Sequence, residues 1–164
     1  MVLSDRFFFV TCHVFRERRR FAASEFECLA NVFHSRRSEL GFLITAWVFL
    51  PSHWHAIVFP RHPLTISRAM RSVKVSSAAR INRLNGEKGP VWQGRFFDRA
   101  LRTVKAYRET IEYIHWNPVK AGLARRPEDW PWSSAREYGD GANASRTVLA
   151  IDLVELPMDE RARI

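Results

Sequence analysis

His53 and His55, separated by Trp54 at the head of an apolar run, and Tyr113 and Asn117, near the end of a helical pattern, are residue types at spacings that do chemistry. On a strand, side chains two apart share a face, so the two imidazoles stand roughly 6.5 Å apart along the chain and can converge on one cation. Neutral imidazole suits many divalent metals, and a pair of them needs a third donor. On a helix, Tyr113 and Asn117 lie one turn apart and can present a phenol and an amide oxygen to the same point. A cation held by His53, His55 and Asn117 would polarise a phosphodiester oxygen while Tyr113 attacks phosphorus. The resulting phosphotyrosine ester retains most of the bond's free energy, so a waiting hydroxyl can rejoin the strand without ATP.

Each half also has a structural reading. Two histidines at the mouth of a strand can bond to backbone or water, Tyr113 can be an amphipathic surface residue, and Asn117 can simply end a helix before Pro118. Helical periodicity favours the chemical reading of the tyrosine: Val104, Tyr107, Ile111 and Ile114 form the apolar stripe, and Tyr113 and Asn117 project elsewhere. Tyr107 is then the core tyrosine, and His115, close to the stripe, packs or bonds locally.

The elements that must position these residues follow from pattern. Phe7 to Val14 reads as a strand, ended by a basic loop carrying Arg16, Arg18, Arg19 and Arg20. A helix follows from about Ala22 to Glu39, with Phe26, Leu29, Ala30 and Phe33 inward, Ser24 as N-cap and Gly41 as its end. The continuously apolar Phe42 to Leu50 predicts a central strand, and Pro51-Ser52 turns it into a partner strand from His53 to Phe59. A second helix spans Ile66 to Leu84, with Ile66, Met70, Val73, Ile81 and Leu84 on one stripe and a basic outer surface. Val91 to Phe97 reads as a short strand interrupted by Gly94, and a third helix follows Thr103 and runs to about Asn117, where Pro118 disfavours continuation. The order β-α-β-β-α-β-α predicts an α+β, ferredoxin-like sandwich: an antiparallel sheet with helices on one face and the tyrosine helix packed near the sheet. One domain is expected over residues 1–139, with residues 140–164 as a C-terminal tail of unassigned role.

At 164 residues, 46% of them hydrophobic, the chain is ample for one packed core. Its 26 Lys and Arg against 17 Asp and Glu, a net charge of +9, favour polyanionic partners, although solubility or an arginine-favouring genome would also produce such a balance. Cys12 and Cys28 have neither zinc-ribbon spacing nor the density of a disulfide scaffold. No stretch reaches the length of a membrane span, so a soluble cytoplasmic protein is expected.

The segments Phe8-Phe9-Val10-Thr11, Leu50-Pro51-Ser52-His53-Trp54-His55, Val91-Trp92-Gln93-Gly94-Arg95-Phe96-Phe97-Asp98-Arg99, Tyr113-Ile114-His115-Trp116-Asn117-Pro118-Val119-Lys120-Ala121-Gly122-Leu123 and Trp130-Pro131-Trp132-Ser133-Ser134 together resemble REP-associated tyrosine transposases. These belong to the bacterial insertion-sequence transposases with one tyrosine and a histidine-hydrophobic-histidine motif. The resemblance implies a ferredoxin-like nuclease core, Mg²⁺ or Mn²⁺ as cofactor, and single-stranded DNA as substrate, recognised at palindromic hairpins with a flanking tetranucleotide. It matches His53 and His55 to the paired metal ligands, Tyr113 to the nucleophile and Asn117 to the third ligand. Related insertion-sequence enzymes carry glutamine in that last role, and the family often has asparagine where this chain has Ser52.

Arg16, Arg18, Arg19 and Arg20, with Gln93 and Arg95 beside Trp92 and Phe96, are the candidate DNA contacts, offering phosphate binding, base-edge contact and stacking. Solvated charge and buried aromatics are the plain alternative for this set, and Trp130 and Trp132 are expected to cover the core. The expected function is transposase-type nicking and rejoining of single-stranded DNA, with a monomer favoured over a homodimer. Its competitors are a domesticated hairpin-binding protein that rarely cuts, and a metal-dependent nuclease in which water attacks.

Overall fold

The computed structural model describes residues 2–139 and 147–156. Strand β1 (Val2–His13) leads into α1 (Ala23–Leu40), the hairpin β2 (Phe42–Phe49) and β3 (His53–Pro60), α2 (Ile66–Asn85), β4 (Phe97–Thr103) and α3 (Val104–Lys120). All pairings are antiparallel and the strand order is β2-β3-β1-β4, so β1 and β3 are central. This is the expected ferredoxin-like α+β sheet.

Alternation along β1 sends consecutive residues to opposite cores. Val10 and Cys12 pack with Trp54, Ala56 and Val58 of β3 under α1 and α2, through Phe26, Leu29, Phe33, Met70 and Val73. Phe7 and Phe9 pack on the other face with Ile57, Leu101 and the α3 residues Val104, Tyr107 and Ile114. The tyrosine helix therefore occupies the sheet face opposite to α1 and α2, the face toward which His53 and His55 point.

Several boundaries differ from expectation for local reasons. Ala22, not Ser24, is the N-cap of α1, because the buried Glu25 carboxylate accepts from the Ala22 N–H at 2.9 Å and so performs the capping itself. Gly41, at φ 78°, closes that helix in the left-handed conformation. Leu84 is 52% exposed rather than part of the α2 stripe, since it lies in the last turn as the helix leaves the core. The segment expected as a strand from Val91 to Phe97 makes only a bridge from Trp92 to Val14, and the true edge strand begins at Phe97. There Trp92 is fixed by its side chain, its indole N–H donating 2.8 Å to Ser77.

Helix α3 runs through Pro118 to Lys120. A proline so near the end forfeits one bond, to the Ile114 carbonyl, and Pro118 is buried in exchange. Trp130 and Trp132 cover the core as expected, the Trp130 indole donating to the Phe49 carbonyl at 2.9 Å.

Of the C-terminal stretch, residues 140–146 and 157–164 lie outside the described residues. Residues 147–152 lie along the β2 edge, and Val154 and Leu156 pack against the core beneath α3. Leu149 is buried, the Trp47 indole donates to its carbonyl at 2.8 Å, and Asp152 exchanges hydrogen bonds with the backbone of Ile44. This segment covers an edge that would otherwise present unpaired backbone groups.

Candidate active site

The β1–β3 ladder places Thr11 opposite His55 and His13 opposite His53, all on the α3 face. The two imidazoles of β3 have ring centroids 4.8 Å apart, and the His13 ring stacks on His53 at 5.1 Å. His55 is 3% exposed, and its Nδ1 lies 2.7 Å from the Thr11 hydroxyl. Its Nε2 is buried and has no hydrogen-bond partner among the described residues. With the proton on Nδ1, donated to Thr11, Nε2 carries a bare lone pair, the state a metal ligand requires. Ser52 does the corresponding work for His53, its hydroxyl standing 3.0 Å from Nδ1.

Electrostatics keep both rings neutral. Burial, then the neighbouring His53 and His13, holds the His55 imidazole down at about 3, and burial followed by His13 holds His53 at about 4. At neutral pH neither ring is closed to a cation by a proton.

Helix α3 brings Tyr113 over this pair. The phenol ring meets His55 edge-on at 5.4 Å and Phe9 at 5.8 Å, and Phe9 stacks on His55 at 5.3 Å. Tyr113 is 43% exposed, so one side is braced by aromatics and the other is open to a substrate. Asn117, half-buried, follows one turn later. No three His, Cys, Asp or Glu side chains among the described residues form a metal-binding group, and the Asn117 amide is of another type. His115 and Tyr107 face away, into packing: His115 Nε2 lies 2.9 Å from the Ser134 hydroxyl, and Tyr107 is 3% exposed.

The candidate DNA contacts fall into two groups. His13, Arg16, Arg18, Arg19, Arg20, Ser52 and Gln93 line one cleft of about 280 Å³ beside the histidines. Within it Arg16 and Arg20 are exposed, whereas the Arg18 guanidinium is spent on the protein, donating to the Pro90 carbonyl at 2.8 Å and to Asn82 and Glu87. Arg19 pairs with the buried Glu25. Gln93 is tied by its backbone to His13 and Lys74, its side chain donating to the Val14 carbonyl at 3.4 Å. Arg95 is exposed beyond that anchor.

Sequence reasoning missed Thr11, His13 and Phe9, which enter the site only through strand register, and Arg99 and Lys120, which reach it from β4 and the last turn of α3. The alternation of β1 puts Phe9, Thr11 and His13 on one face, and that was the available signal.

A ferredoxin-like sheet carrying a histidine pair with oriented lone pairs, and a helix setting one half-exposed tyrosine against it, defines the single-tyrosine, histidine-hydrophobic-histidine class of transposase. The family model "Transposase IS200 like" matches residues 7–117. The REP-associated tyrosine transposase of Escherichia coli K12 is 31% identical over 127 residues, covering 77% of this chain and 74% of that one. The chain therefore belongs to the IS200-like transposases, among the REP-associated tyrosine transposases. A Haemophilus influenzae relative is 38% identical over 53 residues, 32% of this chain and 30% of its own. Among solved structures, a REP-associated tyrosine transposase bound to a REP hairpin superposes with TM-score 0.72 at 28% identity, covering 98% of this chain and 94% of that one. A Deinococcus radiodurans R1 protein, 12% identical with TM-score 0.53 over 68% of this chain and 90% of its own, shares the fold. No helix among the described residues is long and apolar enough to cross a membrane.

Proposed function

We propose that this protein nicks and rejoins single-stranded DNA at palindromic, REP-like hairpins through a covalent phosphotyrosine on Tyr113. The observation that carries the reading is the buried, unpartnered Nε2 of His55 beneath the Tyr113 ring. An orphaned buried nitrogen costs stability, and a site built to receive a cation is the economical reason to keep one.

His53, His55 and Asn117 are the residues that would hold Mg²⁺ or Mn²⁺. When bound, the ion supplies charge stabilisation at a phosphodiester oxygen. The chain does the rest. Phe9 and His55 brace the Tyr113 ring, and the residue's exposure leaves it open to a substrate. The phenolic oxygen forms the new bond to phosphorus, its proton passing to solvent. The bond from phosphorus to the sugar oxygen breaks, and that oxygen leaves as a hydroxyl after taking a proton from solvent. Rejoining is the same exchange run backwards with a DNA hydroxyl as nucleophile. Arg16, Arg20 and Arg95 supply exposed charge for the backbone leading into the site, while Arg18, Arg19 and Gln93 hold the cleft in shape. The hairpin as substrate is supported by the hairpin-bound structural relative.

Incubation of the protein with end-labelled hairpin DNA and Mn²⁺, followed by a denaturing gel, tests this directly. Wild type should yield a protein-DNA adduct and Tyr113→Phe should yield none while still binding the hairpin. An adduct surviving Tyr113→Phe removes the nucleophile. Cleavage without any adduct assigns the attack to water, and tight binding with neither makes the protein a hairpin-binding one.

A further inference from the structure

Two cations stand close to the Phe9 and Tyr113 rings. Arg99 lies opposite Phe9 in the β1–β4 ladder and therefore shares the α3 face, its guanidinium carbon 5.9 Å from the Phe9 ring centroid. One of its terminal nitrogens donates to the Thr110 hydroxyl at 3.4 Å. Thr110 is 3% exposed, and its hydroxyl in turn donates to the Ala106 carbonyl at 2.7 Å, which leaves its oxygen free to accept from the arginine. A guanidinium has five N–H donors, and this bond engages one of them. From the other end, Lys120 sets its ammonium 5.5 Å from the Tyr113 ring centroid. Neither Arg99 nor Lys120 forms a salt bridge among the described residues. Phe9 thus carries His55 on one side and Arg99 on another, with Tyr113 standing over it.

We propose that Arg99 is a catalytic residue that donates hydrogen bonds to a non-bridging oxygen of the scissile phosphate, with Lys120 adding a second cation beside the Tyr113 ring. The assignment rests on Tyr113 as nucleophile. As the tyrosine oxygen bonds to phosphorus and the sugar oxygen departs, negative charge gathers on the non-bridging oxygens, and a fixed planar donor stabilises it without reorganising. Arg99 transfers no proton in the step. Its anchoring to a buried hydroxyl supplies the fixed geometry, and its exposure leaves the remaining donors free for DNA.

The test is the rate of adduct formation on hairpin DNA with Mn²⁺, for wild type, Arg99→Ala and Arg99→Lys, on substrates with a phosphate or with either phosphorothioate diastereomer at the scissile position. Arg99→Ala should slow adduct formation about 100- to 1,000-fold, the loss typical of a missing transition-state donor, with hairpin Kd within about threefold. Arg99→Lys should recover only part of that rate, because an ammonium cannot bond Thr110 and phosphate as a planar fork does. One diastereomer should slow wild type and slow Arg99→Ala no further, since the contact it disturbs is already gone. An undiminished rate in Arg99→Ala overturns the proposal. So does a slow Arg99→Ala that keeps wild-type sulfur sensitivity, which would make Arg99 a packing residue. Failure of wild type itself to form an adduct removes the Tyr113 reading and Arg99's role with it, and is seen before any variant is compared.

Discussion

Thr11→Val isolates the role of the strand register in the proposed metal site. Valine reproduces the shape of threonine but lacks the hydroxyl that lies 2.7 Å from His55 Nδ1. His55 is only 3% exposed and Thr11 8%, so water cannot readily take the vacated position. Two outcomes are open to the ring. Keeping the proton on Nδ1 leaves a buried donor unpaired, at a cost of about 1–3 kcal/mol. Moving it to Nε2 relieves nothing and occupies the lone pair that faces Tyr113. In the first case the binding tautomer survives without the bond that held it and in the second it is lost, and loss of such a supporting hydrogen bond weakens metal binding about 10- to 100-fold. At about 1.4 kcal/mol per factor of ten this is about 1.4–2.8 kcal/mol of binding free energy, comparable to the loss in folding stability.

Calorimetric titration with Mn²⁺ and urea unfolding of the metal-free protein give the two numbers separately. Thr11→Val should raise the Mn²⁺ Kd about 10- to 100-fold and destabilise the fold by about 1–3 kcal/mol, while Thr11→Ser, which restores a hydroxyl, should recover most of both. Unchanged Mn²⁺ affinity in Thr11→Val, in a protein whose affinity is lost in His55→Ala, refutes the tautomer argument. Wild type that takes up no Mn²⁺ refutes the metal site.

Other consequences are equally direct. Burial holds the His115 imidazole at about 4 against an ordinary 6.5, so the unfolded chain binds a proton there that the folded chain refuses; its contribution is full above about pH 6.5 and falls toward pH 4 by up to about 3 kcal/mol, so the urea midpoint shrinks over this range and shrinks less steeply in His115→Asn, the remaining slope coming from His53 and His55. Arg16→Ala should leave the melting temperature nearly unchanged and lower both hairpin affinity and its salt dependence, by about one unit in the log-log slope, whereas Arg18→Ala should chiefly lower the melting temperature, because that guanidinium holds the 87–90 loop. Leu149→Ala should cost about 2–5 kcal/mol in urea unfolding if the segment along β2 is integral to the core, and an effect below 1 kcal/mol would make it a removable strap.

The fold was legible where periodicity was strong. The apolar run of β2, the stripe of Val104, Tyr107 and Ile114, and the glycine at 41 each state their element without outside help, because backbone conformation there follows from local burial and local sterics. The failures lie where a tertiary partner overrides the local signal. Val91-Trp92 has the composition of a strand, yet Trp92 is held by its indole on Ser77 and the edge strand starts only at Phe97. Ser24 has the chemistry of a cap, yet the Glu25 carboxylate reaches the free N–H first.

The candidate site divides along the same line. The spacing of His53, His55, Tyr113 and Asn117 could be read because each pair sits within one element, whose repeat fixes which side chains share a face. For Thr11, His13, Phe9 and Arg99 alternation states a shared face within a strand, but nothing local states which residue of another strand will stand opposite. Yet these cross-strand neighbours convert a pair of histidines into oriented lone pairs and a surface tyrosine into a braced one. Phe9 shows the point most clearly: in the sequence it is one of three consecutive phenylalanines, and in the fold its ring touches His55, Tyr113 and Arg99 together. Substituting Phe9 by leucine would keep its burial and remove the flat face against which two of these three groups are set. The local motifs supply reactive groups, and the register of the sheet decides where those groups are aimed.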